Sequence, residues 1–255
     1  MEVKGLGAIV TGGGSGLGAE TARFLARAGA KVTVLDVNAE GVAAVAEETG
    51  GLGLTCDVAS AAEAEAAVAQ ARDAHGPVRV LVNCAGIAPA KRIVGRDGPM
   101  ALTDFEQVIR VNLIGSFNLL RLAAADMVAA EPLADPAAEG ERGVIISTAS
   151  IAAGEGQVGQ AAYAASKAGI IGMMLPAARE FARFGVRVLT IAPGLIGTPL
   201  LLNMPQEIQD NLAAQVPFPK RFGKPAEYAA LVMHILANPM LNADTIRLDG
   251  AMRMQ

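Results

Sequence analysis

Short apolar runs alternate with longer helical patterns along this chain, and that alternation limits its fold more than any other feature. Leu6–Val10, Lys31–Leu35, Leu52–Thr55, Val78–Val82, Gly143–Ser147, Val186–Ile191 and Thr245–Leu248 read as strands. Ala19–Ala28, Ala39–Thr49, Ala61–His75, Asp104–Val128, Gln160–Phe184 (in spite of Pro176) and Ala226–Ala237 read as helices. Repeated strand–helix alternation predicts a parallel sheet with helices on both faces, and right-handed crossovers make it doubly wound. The expected fold class is α/β: a single-domain Rossmann-type doubly wound parallel sheet flanked by helices, over residues 1–255. A chain of 255 residues suits one such domain with a sizeable core. Pro89–Met100, Glu131–Arg142 and Leu195–Pro219 read as irregular. The last carries several prolines and many apolar residues, and is expected to form a substrate lid at about 195–219.

Composition removes several function classes. The net charge of −4 offers no global basic field, so nucleic acid is not an expected partner. Cys56 and Cys84 have no metal-ligand spacing and make no disulfide framework, and His75 and His234 are paired with no Cys, Asp or Glu. No metal is therefore expected. The chain passes from Met1-Glu2-Val3-Lys4 straight into an apolar run, with no signal or transit pattern, and no apolar run reaches the ~18 residues of a membrane span. A soluble cytoplasmic protein without membrane contact is the expectation.

The first strand and first helix are joined by Thr11-Gly12-Gly13-Gly14-Ser15-Gly16-Leu17-Gly18. Glycines there let the backbone approach a pyrophosphate, and the helix start that follows offers free N–H groups and a positive dipole end. Gly12, Ser15, Gly16, Leu17 and Gly18 are the candidate phosphate-binding residues. Asp36 ends the second strand, where an acidic group binds the ribose hydroxyls of a dinucleotide and repels a 2′-phosphate. It favours NAD over NADP; its other reading is a cap on the next turn. Asp57-Val58 ends the third strand, where adenine is expected, and Asn83-Cys84-Ala85-Gly86 ends the fourth, where small residues let cofactor pass. Cys84 reads as an inert lining thiol.

Tyr163 and Lys167 stand four apart and so share one face of a helix. A cation ~4 Å from the phenol favours the phenolate by up to ~4 kcal/mol at an effective dielectric near ~20, before desolvation opposes it. The pair is expected to bring a tyrosine from its usual pKa near ~10 toward working pH.

Together these elements resemble the short-chain dehydrogenase/reductase family over the whole chain. The resemblance is carried by Thr11–Gly18, Asn83–Gly86, Asn112, Ser150, Tyr163-x-x-x-Lys167, Pro193-Gly194 and the spacing of Ser150 from Tyr163. Cys84 departs from it, standing where many members have a second asparagine. The resemblance implies that Tyr163 is the acid–base, that Lys167 lowers its pKa and holds the nicotinamide ribose, and that Ser150 donates to the reacting oxygen. It implies that Asn112 holds a water linking Lys167 to solvent; the alternative is a backbone-bonding asparagine in a helix kink. Pro193, Gly194, Ile196 and Thr198 would embrace the nicotinamide carboxamide, and Gln157 and Gln160 are candidate substrate contacts beside Ser150 and Tyr163.

Within the family, Arg142–Ile146, Glu155–Tyr163, Ile191–Leu195, Gly197–Leu200, Gln215–Pro219 and Ile246–Gly250 resemble the type 2 3-hydroxyacyl-CoA dehydrogenase group, also called 17β-hydroxysteroid dehydrogenase type 10. Animal members are mitochondrial; the missing transit pattern leads us to expect a bacterial-type cytoplasmic relative. The implied reaction is NAD-dependent oxidation of (S)-3-hydroxyacyl-CoA to 3-oxoacyl-CoA, or the reverse, by a homotetramer. A hydroxysteroid or other secondary-alcohol dehydrogenase, a 3-oxoacyl-carrier-protein reductase and a non-catalytic scaffold are the rival readings.

Overall fold

In a computed structural model, which describes residues 1–134 and 139–254, seven parallel strands form one sheet. They are β1 (Gly7–Thr11), β2 (Lys31–Asp36), β3 (Leu52–Thr55), β4 (Val78–Asn83), β7 (Gly143–Thr148), β8 (Val186–Pro193) and β9 (Thr245–Leu248). Two further strands, β5 (Val94–Gly95) and β6 (Gly98–Pro99), pair as a separate antiparallel hairpin. The main sheet runs β3-β2-β1-β4-β7-β8-β9. Every residue of β1, β7 and β8 is buried, which is why these strands read as unbroken apolar runs. Successive side chains leave β1 on opposite faces: Ala8 and Val10 join one core layer and Ile9 the other.

The helices agree closely with their sequence signals. Helix α2 (Ala39–Thr49) starts at Asn38, whose Oδ1 accepts from Gly41 N at 3.2 Å, and stops at Gly50. Helix α3 (Ala61–His75) starts at Ser60, whose hydroxyl accepts from Glu63 N. These are side-chain caps on otherwise orphan N–H groups. Helix α1 (Gly16–Arg27) differs: its N-cap, Ser15, makes no side-chain cap bond.

Asp104–Val128, expected as one helix, is interrupted. Helix α4 (Leu102–Ile109) passes through a π-helical turn at Arg110–Ile114 into α5 (Gly115–Ala129). Such a turn inserts one extra residue and often marks a functional position; Asn112 sits within it. By length and hydropathy residues 102–129 would also pass as a membrane span, but half of their most apolar 18-residue window is buried inside the fold, with α5 packed on β4 and α3.

The irregular stretches hold more structure than their sequence signals. Pro89–Met100 contains the β5–β6 hairpin. A short helix, α6 (Ala152–Glu155), follows Ser150 and leads to α7 (Ala161–Phe181), which runs through Pro176. Residues 195–219 contain α8 (Pro199–Leu202) and α9 (Gln206–Ala214), tied together by Gln209 Nε2 donating to Leu202 O and Met204 O. Of Glu131–Arg142, residues 135–138 lie outside those described, as does Gln255. Helix α10 (Pro225–Ala237) is pinned to β8 by Arg187. Its guanidinium pairs with Glu141 at 2.5 Å and donates to the carbonyls of Ile235, Leu236, Asn238 and Leu241 at the helix end.

Candidate active site

Strand order reverses between β1, which leads to β2, and β4, which leads to β7. Outside the carboxyl ends of the strands at such a point, ligands bind. A cleft of about 460 Å³ lies there. Its walls include Gly12, Ser15, Gly16, Leu17 and Gly18, then Asp36, Asp57, Val58, Cys84, Ala85 and Gly86. At Gly12 φ is +61°, and an added Cβ would lie 2.7 Å from Ala85 N. At Gly18 it would lie 2.2 Å from Gly12 O. Glycine is required at both, the first for its left-handed turn and the second because helix α1 starts directly on the turn. Ser15 makes no side-chain cap bond, so its hydroxyl does not occupy the first-turn amides of α1 next to the glycine turn. The residues present therefore fit the pyrophosphate of a dinucleotide.

Asp36 follows its turn-cap reading and also stands in the cleft wall. Its Oδ2 accepts from Gly14 N and its Oδ1 from Asn38 N, each at 3.0 Å, while the residue lines the cleft. The two amides fix the carboxylate in the wall of the cleft.

Asn83 is a correction. It does not line the cleft: it is 2% exposed, and its Nδ2 donates to Ser116 O and to Ser147 Oγ. At the end of β4, these two bonds occupy its side-chain amide, which braces the strand.

The cleft opens into a second cavity of about 250 Å³, with Leu17, Cys84, Gly86, Ile87 and Thr198 lining both. Here Ser150, Tyr163 and Lys167 meet, with Gln160, Pro193, Gly194, Ile196 and Thr198 around them. Ser150 follows β7; Tyr163 and Lys167 project from one face of α7. The Ser150 hydroxyl acts on the Tyr163 phenol and favours its ionised form. Lys167 is 4% exposed and donates to Thr148 O at 2.7 Å, with its ammonium 5.7 Å from the centre of the Tyr163 ring.

The electrostatics correct the expected pKa logic. Burial pushes the Tyr163 phenol above its ordinary value, opposed by the Ser150 hydrogen bond. Burial also pushes the Lys167 ammonium down to about 8. Its proton points at Thr148 O, not at the phenol, so desolvation outweighs the attraction assumed for a ~4 Å pair.

Asn112 follows the kink reading. Its Oδ1 accepts from Ile87 N at 2.8 Å, and its Nδ2 donates to Ile87 O and to Ser166 Oγ. It locks the loop after Gly86 against α7, and is a positioning residue. Gln157 is also corrected: it is exposed and lies outside the cavity walls, with its N–H donating to Gln160 Oε1. The glutamine that reaches the cavity is Gln160.

Three contributors had weak sequence signals. Thr148 anchors Lys167 through its carbonyl, and its hydroxyl donates to Asn83 O at 2.6 Å. Tyr228 on α10, fully buried, bonds that hydroxyl at 2.7 Å and accepts from Cys84 Sγ at 3.7 Å. Burial raises the Cys84 thiol pKa, which suits an inert lining group. Met254 lines the cavity from the tail, 91 residues beyond Tyr163 in sequence order (254 − 163), too far for any spacing rule to find. Among the described residues no group of three or more His, Cys, Asp or Glu side chains could hold a metal.

Residues 7–209 match the sequence model of the short chain dehydrogenases. The chain belongs to the short-chain dehydrogenase family. It is similar to 3-hydroxyacyl-CoA dehydrogenase type-2 of Bos taurus, 53% identical over 261 residues, with 99% of this chain and 97% of that one covered. The corresponding protein of Homo sapiens is 52% identical over 260 residues, with the same shares covered. The crystal structure of 3-hydroxyacyl-CoA dehydrogenase type-2 from Mycobacterium avium superposes with a TM-score of 0.91 at 42% identity, covering 98% of this chain and 97% of that one. This short-chain dehydrogenase is thus an oxidoreductase that uses a nicotinamide cofactor and a small-molecule substrate.

Proposed function

We propose that the protein interconverts (S)-3-hydroxyacyl-CoA and 3-oxoacyl-CoA with NAD as its cofactor. The observation that carries this reading is the Ser150–Tyr163–Lys167 cluster in an apolar-walled cavity joined to the dinucleotide cleft, in a chain 52% identical to its human relative almost end to end. A nicotinamide bound in the cleft supplies the hydride acceptor or donor. Tyr163 takes the substrate hydroxyl proton in oxidation and returns it in reduction. Ser150 donates to the same oxygen and stabilises its developing charge. Lys167, held by Thr148 O, keeps a positive charge behind the phenol and holds the nicotinamide ribose. Residues 195–219 serve as the lid: Leu195, Ile196, Thr198 and Leu201 line the cavity, and Gly197 N and Gly223 N tie the base of the segment through bonds to Gly223 O and Leu195 O. The protein works as a homotetramer in this reading, on family likeness alone.

The test is oxidation of (S)-3-hydroxybutyryl-CoA by the purified protein with NAD, beside the (R)-thioester. Turnover of the (S)-thioester alone is expected. Inertness toward both thioesters, with turnover of steroids or simple secondary alcohols, would replace the substrate and keep the chemistry.

NAD rests on Asp36. Asp36→Asn keeps one carbonyl acceptor for Gly14 N or Asn38 N, gives up the other bond, and removes the charge. A charge-assisted hydrogen bond contributes ~1.5–3 kcal/mol. The ratio of kcat/KM for NADH over NADPH should therefore fall ~10–100-fold in the variant; an unchanged ratio would take Asp36 out of cofactor selection.

A further inference from the structure

Met254 reaches the substrate cavity because the chain after β9 is turned back on itself. Gly250 and Ala251 both have positive φ, +60° and +67°. For alanine that conformation is strained, and it persists only where surroundings hold it. Three groups hold it. Asp249 Oδ1 accepts from Ala251 N at 3.0 Å. Met252, 1% exposed, packs with Ile151 and Val216, one beside Ser150 and the other at the end of the lid. Glu155, the last residue of α6, ties the tail down directly: its Oε2 accepts from Met254 N at 3.1 Å, and its carboxylate takes both terminal nitrogens of Arg247 at 2.9 and 3.2 Å. Arg247 also donates to Met252 O and pairs with Asp249. Glu155 lies five residues after Ser150 (155 − 150), on the segment that carries the catalytic hydroxyl.

We propose that Glu155 and Arg247 form a latch that holds Met254 as a movable wall of the substrate cavity, and that Met254 thereby sets the length of acyl chain accepted. This rests on the acyl-CoA reading above. The latch suits a wall that adjusts. Its members are partly exposed, Glu155 by 20% and Arg247 by 33%, and exposed ion pairs are weak singly and gain by forming a network. Methionine is unbranched and adapts to irregular apolar partners. The cavity of about 250 Å³ seats a short acyl group, and a longer one needs the wall to move.

The experiment measures kcat/KM with NADH for acetoacetyl-CoA and for 3-oxodecanoyl-CoA. The long-to-short ratio should rise ~10-fold in Met254→Ala and fall in Met254→Trp, as one methylene in an apolar pocket shifts discrimination ~10-fold or more. Glu155→Gln and Arg247→Gln should each move the ratio in the direction of Met254→Ala. Combined, they should move it no further than either alone, because they break one latch. Ratios unchanged in both Met254 variants would overturn the wall, and an unchanged ratio in Glu155→Gln would overturn the latch. If the wild type turns over neither thioester, the acyl-CoA reading fails by itself. The same ratio is then read with 2-butanone and 2-decanone, where a shift supports the wall and its absence overturns it.

Discussion

Tyr163→Phe should lower kcat by ~10²–10⁴-fold while leaving the dissociation constant for NADH within about twofold, a span typical of losing one acid–base group. Phenylalanine keeps the ring and its packing on α7 and removes only the hydroxyl. Ser150 loses one partner, yet its oxygen still accepts from Ala152 N at 3.1 Å, so the local backbone stays in place. The wild-type pH profile should carry the signature of a buried phenol. Because burial raises its pKa, the base form is scarce at neutral pH. Oxidation, which needs the base, should speed up as pH rises, whereas reduction, which needs the acid, should slow down. The variant should lose both limbs. Steady-state rates across pH with fluorescence titration of NADH check this; full activity in the variant would remove Tyr163 from the mechanism.

Lys167→Met should abolish most turnover and change how stability depends on pH. Burial lowers the Lys167 pKa from 10.5 to about 8 in the folded protein. Below the lower value both folded and unfolded chains carry the proton, and the folded state bears the full cost of a buried charge. Between about 8 and 10.5 the unfolded chain binds more protons than the folded one, so stability rises with pH. Above that window both are neutral and the cost is gone. The difference corresponds to about 3 kcal/mol. Methionine has similar length and no charge, so the variant should lack this rise. Relative to wild type it should be about 3 kcal/mol better off at pH 7 than at pH 10.5. Loss of the bond to Thr148 O offsets part of the gain at both pH values alike. Activity should fall ~10²–10³-fold, as for other preorganised charge-stabilising groups. Urea titrations of both proteins at the two pH values check it, and parallel pH curves would show that Lys167 is not a strained buried cation. A stabilising substitution that destroys function is the expected trade at a site held at a cost to the fold.

Much of this was legible in the sequence because each signal was local. Four elements match to the residue, and three of them, Ala39–Thr49, Leu52–Thr55 and Ala61–His75, are set by caps and glycine stops written into adjacent positions; the fourth is Thr245–Leu248. The glycine turn, Asp36 and the Tyr163–Lys167 pair are likewise fixed by short spacings. What escaped was decided by distant partners. The π-turn at Arg110–Ile114 is invisible to a 3.6-residue period, and Asn112 locks it to Ile87 through space. Asn83 turned inward because Ser116 and Ser147 offered acceptors there. The direction of the Tyr163 shift depended on how deeply its helix is buried, which spacing alone does not reveal. Tyr228 and Met254 come from the last quarter of the chain and meet the site only through the fold.

The most direct test of the account is the initial rate of cofactor oxidation by the purified protein with acetoacetyl-CoA, run with NADH and with NADPH. Rapid turnover, strongly favouring NADH, is the predicted result. It would support the acyl-CoA reaction and the role of the Asp36 carboxylate at the end of β2. No turnover with either cofactor would contradict the substrate assignment, and equal turnover with both would contradict the assignment of NAD.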